Sequence, residues 1–157
     1  MKTTRQMAAF FLAAAAALSL AACNGETTLV MRGDITGEMS GIPAADTWTL
    51  TAEGDVVQTV HRVFEFDLFA YEEEERDSFI AMLDIFILGP AQNIEGVVCA
   101  SRTEDTAYII ELTVDCTGSA VSEAAAAGIL SVDGNSDKIS LRQTRAALER
   151  QGYEVVR

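Results

Sequence analysis

Histidine is nearly absent from this sequence, since His61 is the only one among 157 residues. A hydrolytic triad or a histidine-bearing zinc site needs a histidine close to a nucleophile or to further ligands. His61 instead lies in a strand-like stretch, without a neighbouring cysteine or an HExxH pattern. The G-x-S-x-G, Walker and G-x-G-x-x-G motifs are missing as well. We therefore predict no enzyme, no catalytic residues and no cofactor.

Basic residues are also scarce: 11 Lys and Arg stand against 24 Asp and Glu, which gives a formal charge of −13. A surface this acidic repels nucleic acid and anionic lipid head groups, so we expect no nucleic-acid partner. Acidic composition alone is also typical of disorder. Here, runs of Val, Ile, Leu and Phe indicate a folded domain with a solvated acidic surface.

The first residues have the pattern of a signal peptide. Their uncharged apolar core, residues 7–20, is shorter than the roughly 20 residues of a comfortable bilayer span. It leads into the sequence LAAC at residues 20–23, which resembles the lipobox of bacterial lipoproteins. The resemblance implies that a lipid is attached to the thiol of Cys23 and that residues 1–22 are cut away. An ordinary secretory signal cleaved after Ala22 is the alternative.

Lipidation divides the chain into a removed signal peptide (1–22), a lipidated tether (23–28) and a single domain (29–157). It predicts a protein of the bacterial cell envelope, anchored to a membrane and exposed outside the cytoplasm. The removed segment carries Lys2 and Arg5 but no acid, so the formal charge falls from −13 to −15. Attachment must then come from the lipid, in which each buried CH₂ contributes about 0.8 kcal/mol and two chains give stable anchoring.

Two cysteines remain once Cys23 carries the lipid, namely Cys99 and Cys116. In an oxidising compartment they are a possible disulfide, which would contribute about 3 kcal/mol if it is unstrained. Two buried free thiols are the alternative. A simple two-residue turn near Glu104 does not place the two cysteines opposite each other, so the disulfide requires a bulge or a bend in the hairpin.

Alternating residues predict two antiparallel hairpins. Trp48, Leu50 and Ala52 alternate with threonines ahead of a Glu-Gly-Asp turn, and β-favouring residues follow from Val56 to Phe69. A second alternating pattern covers residues 97–116 and turns near residue 105. A short helix ending at Gly128 is also expected.

Two main helices are predicted at about residues 72–88 and 141–151. In the first, apolar residues recur at helical spacing up to Gly89-Pro90, which we expect to end it. In the second, Ser140 and Gln143 have the spacing of a capping box. The sequence thus predicts an α+β fold: a single small domain whose hairpins form a sheet packed with two helices.

The acidic residues suggest two further functions, which we keep as alternatives. Asp133, Asn135 and Asp137 have the spacing that opens an EF-hand loop, but Lys138 and Thr144 replace its required glycine and final acid. We therefore predict a plain turn and no metal site there, and weak calcium binding by the acidic surface stays open. A hydrolase that uses paired carboxylates also stays open, although no pair stands out by its context.

Several segments together are similar to the YehR-like bacterial lipoproteins, an uncharacterised family of small envelope proteins. They are the lipobox, TLTAEGDVV, IEGVVCASRTEDTAYIIELTVD and ISLRQTRAALERQGYEVV. The cysteine pair and the strongly acidic balance depart from that family. The resemblance implies an α+β domain of antiparallel strands with flanking helices, and it implies no established activity. We predict a non-catalytic binding or interaction module, whose protein or small-molecule partner is unknown.

Overall fold

The computed structural model describes residues 25–39, 41–130 and 137–156. The predicted signal peptide, Cys23 and most of the turn at 133–137 lie outside these ranges. Within them the chain forms six strands: β1 (Glu26–Asp34), β2 (Ala44–Glu53), β3 (Val56–Asp67), β4 (Val97–Glu104), β5 (Ala107–Asp115) and β6 (Glu154–Val155). All neighbouring strands are antiparallel, in the order β4-β5-β3-β2-β1-β6.

The helical elements are α1 (Glu73–Leu83), a π-helical segment (Asp84–Leu88), α2 (Gly89–Ala91), α3 (Ala120–Ala126) and α4 (Leu141–Arg150). Their buried side chains belong to the same apolar cluster as the inward residues of the sheet. The helices therefore pack on one face of the sheet, and the predicted α+β fold is confirmed. No helix among the described residues is both long and apolar enough to cross a membrane.

The first hairpin follows the alternating pattern of its sequence. Trp48, Leu50 and Ala52 are buried in β2, and the threonines between them are half-buried on the other face. The turn between β2 and β3 contains Gly54, whose positive φ of 61° suits glycine. β1 pairs with β2 from Glu26 onward. Residues 26–28 thus belong to the sheet, although the sequence placed them in the tether.

The predicted disulfide is not formed in the structure, where Cys99 and Cys116 are both free. The second hairpin turns near residue 105 as expected, but its register pairs Cys99 with Leu112. Cys116 lies four residues further along the chain, which corresponds to about 13 Å in a strand. Because cysteines more than about 7 Å apart cannot be bridged without moving the backbone, this regular hairpin keeps the thiols apart.

The first predicted helix continues past its expected end at Gly89-Pro90. The π-helical segment explains how the chain accommodates the proline. Gly89 N–H bonds to the carbonyl of Asp84, five residues earlier. This wider turn changes the helical path just before Pro90, which lacks an N–H and would clash in a regular α-helix interior. Helical structure therefore reaches Ala91.

The last helix begins at the predicted residue and ends within one residue of the prediction. Ser140 Oγ accepts a hydrogen bond from Gln143 N at 3.3 Å, as the capping pattern indicated. Asp55, from the β2–β3 turn, adds a contact that the sequence did not show. It accepts from Ser140 Oγ at 2.8 Å and from Arg142 N at 3.0 Å, which fixes the start of α4 to the first hairpin.

Candidate functional site

A buried carboxylate lies at the centre of the most elaborate polar network among the described residues. Asp46 is 0% exposed. It accepts hydrogen bonds from Trp48 Nε1 at 2.7 Å, Arg62 Nη2 at 2.5 Å and Tyr153 Oη at 2.8 Å. Asp46 and Trp48 share the inward face of β2, and Arg62 is the β3 partner of Trp48. The strand register thus brings the charged pair together inside the domain.

Two aromatic rings enclose the guanidinium of Arg62. Its Cζ lies 4.1 Å from the centroid of the Trp48 ring and 4.4 Å from that of Phe64. Such stacking suits the flat, weakly hydrated guanidinium. Nη1 also donates to the carbonyl of Ile129 at 2.7 Å. Arg62 therefore connects the sheet to the loop after α3 while neutralising Asp46.

The third partner of Asp46 comes from the end of the chain. Burial, followed by the charge of Asp46, raises the pKa of Tyr153 well above its usual range. The ring lies directly over Gly33 of β1, where an added Cβ would come within 2.8 Å of the ring carbons. Gly33 thus allows the close approach that brings the Tyr153 hydroxyl to Asp46.

A cleft of about 190 Å³ opens above this network. Asp46, Arg62 and Tyr153 contribute to its floor. Apolar side chains line much of the rest, including Ile35, Met39, Phe86, Ile87, Pro90 and Ile129. An engineered cavity of about 150 Å³ accommodates benzene, whereas pockets for drug-sized ligands begin at about 300 Å³. The cleft therefore suits one ring-sized or side-chain-sized apolar group.

Large apolar side chains are exposed at the cleft, on the helical segment that leads to it and in the loop before α1. Phe86 is 74% exposed although it lines the cleft, and Ile85 beside it is 68% exposed. Met82 and Phe69 also present large apolar side chains to solvent. α1 buries only Leu83 fully, so this helix leaves much of its surface available. We call the exposed set Phe69, Met82, Ile85 and Phe86 the apolar rim.

A buried tyrosine fixes the π-helical segment to the sheet. The hydroxyl of Tyr108, on β5, donates to the carboxylate of Asp84. Burial, together with this carboxylate, raises the pKa of Tyr108 to about 12. The segment that carries Phe86 is thereby held in place, and π-helical turns are frequent at functional sites.

The residues predicted from sequence do not form this cleft. Cys23 lies outside the described residues, Cys99 lies on β4, and Cys116 follows the end of β5. His61 is half-buried and pairs with Thr49 and Thr113 across the sheet. Within the described part of the chain, no three His, Cys, Asp or Glu side chains are grouped to hold a metal ion.

The network was not predicted from the sequence, although the strand positions of two of its residues indicate it. Asp46 and Arg62 each lie two residues after one buried apolar residue of their strand and two residues before another, so each is a charge placed on a buried face. A buried charge needs a partner of opposite sign, and the hairpin register supplies it. The sequence gives no indication that Tyr153 contacts Asp46, because the two residues are 107 positions apart.

Solved structures share this architecture. The NMR structure of the E. coli YehR protein superposes with a TM-score of 0.66 and 15% identity, covering 85% of this chain and 92% of YehR. The chain has a YehR-like fold. The NMR structure of a protein from Streptococcus pneumoniae TIGR4 has a TM-score of 0.55 and 14% identity, covering 99% of this chain and 96% of that one.

The likeness to YehR confirms the predicted fold and extends no further. No protein-family model matches the chain, and no curated protein matches it. At 15% identity, the shared architecture with YehR shows the arrangement of strands and helices alone. Membership of a lipoprotein family therefore stays a prediction.

Proposed function

We propose that this protein is a lipid-anchored lipoprotein of the bacterial envelope whose domain is a non-catalytic binding module. The observation that carries the binding role is the cleft above Asp46 and Arg62. A concave site with apolar walls and a few converging polar groups is the usual form of a ligand site. The ligand would place an apolar group against Phe86, Ile87 and Met39.

Arg62 would give the site its polar selectivity. A guanidinium carries five N–H donors, and the contacts to Asp46 and Ile129 involve three of them. Since Arg62 also lines the cleft, it is suited to donate a hydrogen bond to an acceptor beside the apolar group. Asp46 compensates the charge of Arg62.

The anchoring role is supported by the sequence LAAC at residues 20–23. The acidic charge of the chain opposes direct adsorption to anionic lipid, so a covalent lipid on Cys23 is the consistent means of attachment. The expected result is an acylated Cys23 at the amino terminus by mass spectrometry, with the protein in the membrane fraction. Cys23→Ala should abolish both, and an unacylated mature chain would contradict the anchoring role.

Trp48 is the only tryptophan of the chain, and its indole N–H bonds to Asp46 next to the cleft. Its single indole signal in a ¹⁵N NMR spectrum therefore reports on the floor. We expect ring-sized fragments such as phenol, indole and benzoate to shift this signal at millimolar concentration. Met39→Ala should weaken the effect, and Val98→Ser, on the edge strand β4, should not. A signal that no fragment moves would count against binding in the cleft.

A further inference from the structure

We infer that the partner of this site is a polypeptide that inserts one aromatic or large aliphatic side chain into the cleft and carries basic residues beside it. The inference rests on the proposed binding role and specifies its ligand. It follows from the size of the cleft, the exposure of the apolar rim and the charges around them.

The cleft and the apolar rim together have the form of a protein-binding surface. A volume of about 190 Å³ accommodates a single side chain rather than a drug-sized molecule. Phe86 lines the cleft, and Met82 and Ile85 are exposed apolar groups on the same helical segment. At protein interfaces a few side chains in well-packed pockets provide most of the binding energy, and the contacts around them exclude water.

Acidic side chains at the cleft and at the start of the helix that leads to it select a basic partner. Glu72, Glu73, Glu74 and Glu75 are all exposed at the start of α1, and the exposed Glu38 lines the cleft itself. Arg76, the basic residue beside this acidic run, uses its Nε to donate to the carbonyl of Tyr71 at 2.8 Å. Complementary charges accelerate association and exclude partners of the wrong sign.

The distance between the start of α1 and the cleft also sets the spacing of the basic residues in the partner. Glu74 and Phe86 are twelve positions apart along the helical segment, which corresponds to about 18 Å at 1.5 Å per residue. An extended peptide covers that distance in about five or six residues. A lysine at that separation from the anchor side chain can face the start of α1, while a nearer one faces Glu38.

A membrane surface fits the same features less well. The carboxylates beside the apolar rim repel anionic head groups. The cleft also lies near the end of the sheet where Asp34 pairs with Ala45, whereas the chain enters the sheet at Glu26, at the other end of β1. A lipid on Cys23 would thus hold the domain by the end remote from the cleft.

Binding of defined peptides tests the inference. The mature protein with its lipid on Cys23 is placed in phosphatidylcholine nanodiscs, and binding is followed by the fluorescence anisotropy of labelled peptides. The probe peptide has one central Phe, with Lys next to it and at five or six residues on either side. Two matched peptides replace Phe by Ala or every Lys by Glu.

We expect the Phe–Lys peptide to bind, and each matched peptide to bind at least tenfold more weakly. Phe86→Ser should weaken binding about tenfold, which corresponds to about 1.4 kcal/mol. Glu73→Lys with Glu74→Lys should weaken it severalfold and reduce its salt dependence. Val98→Ser is the control, since Val98 is also highly exposed but lies on β4. Circular dichroism confirms that each variant is folded.

Three results would overturn the inference. The first is equal binding of the Phe and Ala peptides, and the second is unchanged peptide binding by the Phe86→Ser variant. The third is binding of the unlipidated Cys23→Ala protein to phosphatidylcholine vesicles that depends on Phe86. The fragment experiment separates the two proposals. If fragments shift the Trp48 indole signal and no peptide binds, the binding role stands and the polypeptide partner is refuted. If neither has an effect, both are refuted.

Discussion

Asp46 shows how one side chain organises the interior of this domain. Its carboxylate accepts from three side chains, on β2, on β3 and in the segment after α4. Burying such a charge is costly unless it is paired and hydrogen-bonded, and removing one partner of a buried ion pair leaves the other uncompensated. The network therefore constrains which segments can meet at the floor of the cleft.

Asp46→Asn should strongly destabilise the protein. The amide cannot neutralise Arg62, whose side chain is only 14% exposed, so we expect the free energy of unfolding to fall by about 3 kcal/mol. Urea denaturation followed by Trp48 fluorescence measures the change. Asp77→Asn, on the exposed side of α1, is the matched control and should change stability by less than about 0.5 kcal/mol. A loss below about 1 kcal/mol for Asp46→Asn would show that Arg62 does not depend on this carboxylate.

Local patterns in the sequence predict the residues that alternate, but not the contacts between distant segments. Trp48 and Leu50 were correctly placed on a buried face because period-two alternation reports the two sides of a strand directly. The cleft was not predicted because it requires the Tyr153 hydroxyl to reach Asp46, and Phe86 and Arg62 to line the same cavity. These placements depend on how the helices cross the sheet, which no single segment encodes.

The second hairpin explains the state of the cysteines. Its strands pair without an irregularity from Val97 to Glu104, so Cys99 lies opposite Leu112 and Cys116 follows the end of β5. The sequence indicated a bulge only as a requirement of the disulfide. Without the bulge, the regular ladder of hydrogen bonds determines the distance between the thiols.

The two thiols should react at very different rates. Cys99 is half-buried, whereas Cys116 is 5% exposed and burial raises its thiol pKa to about 11. In Cys23→Ala protein at pH 8, we expect a thiol reagent to label Cys99 in the folded state and Cys116 only after unfolding. Mass spectrometry of unreduced protein counts the labels. Finding none after unfolding would show that a disulfide had formed.

The thiol of Cys116 and the hydroxyl of Tyr108 are buried in their neutral, protonated form. Burial raises the pKa of Cys116 from 9.0 to about 11 and that of Tyr108 from 10.0 to about 12. The unfolded chain releases these protons at lower pH than the folded chain does. Their contribution to stability is therefore complete below pH 9 and is lost as the pH rises through the folded values.

We accordingly expect the free energy of unfolding to decrease between pH 9 and pH 12. Cys116→Ala should remove the part of this decrease between pH 9 and pH 11, and Tyr108→Phe the part that begins near pH 10. Urea denaturation at a series of pH values measures the slope. Identical slopes for the wild type and both variants would contradict an origin in these two groups.

The fold and the proposed anchor together orient the cleft. Glu26 is three residues after Cys23, so the chain can separate them by at most about 11 Å, and Gly25 bonds to Gly54 in the β2–β3 turn. β1 then runs about 26 Å from Glu26 to Asp34, toward the end of the sheet that bears the cleft. The β2–β3 turn should therefore face the membrane, and the cleft should face away from it.

This orientation can be measured with fluorophores on two exposed residues, Glu53→Cys beside the turn and Glu38→Cys at the cleft. Cys99→Ser removes the reactive native thiol from both variants. In vesicles that contain head-group nitroxide lipids, we expect strong quenching at position 53 and weak quenching at position 38. Removing the lipid attachment with Cys23→Ala should abolish the difference. Equal quenching at both positions in the anchored protein would mean that the domain lies along the membrane, and the cleft would then not be directed toward a partner in the surrounding compartment.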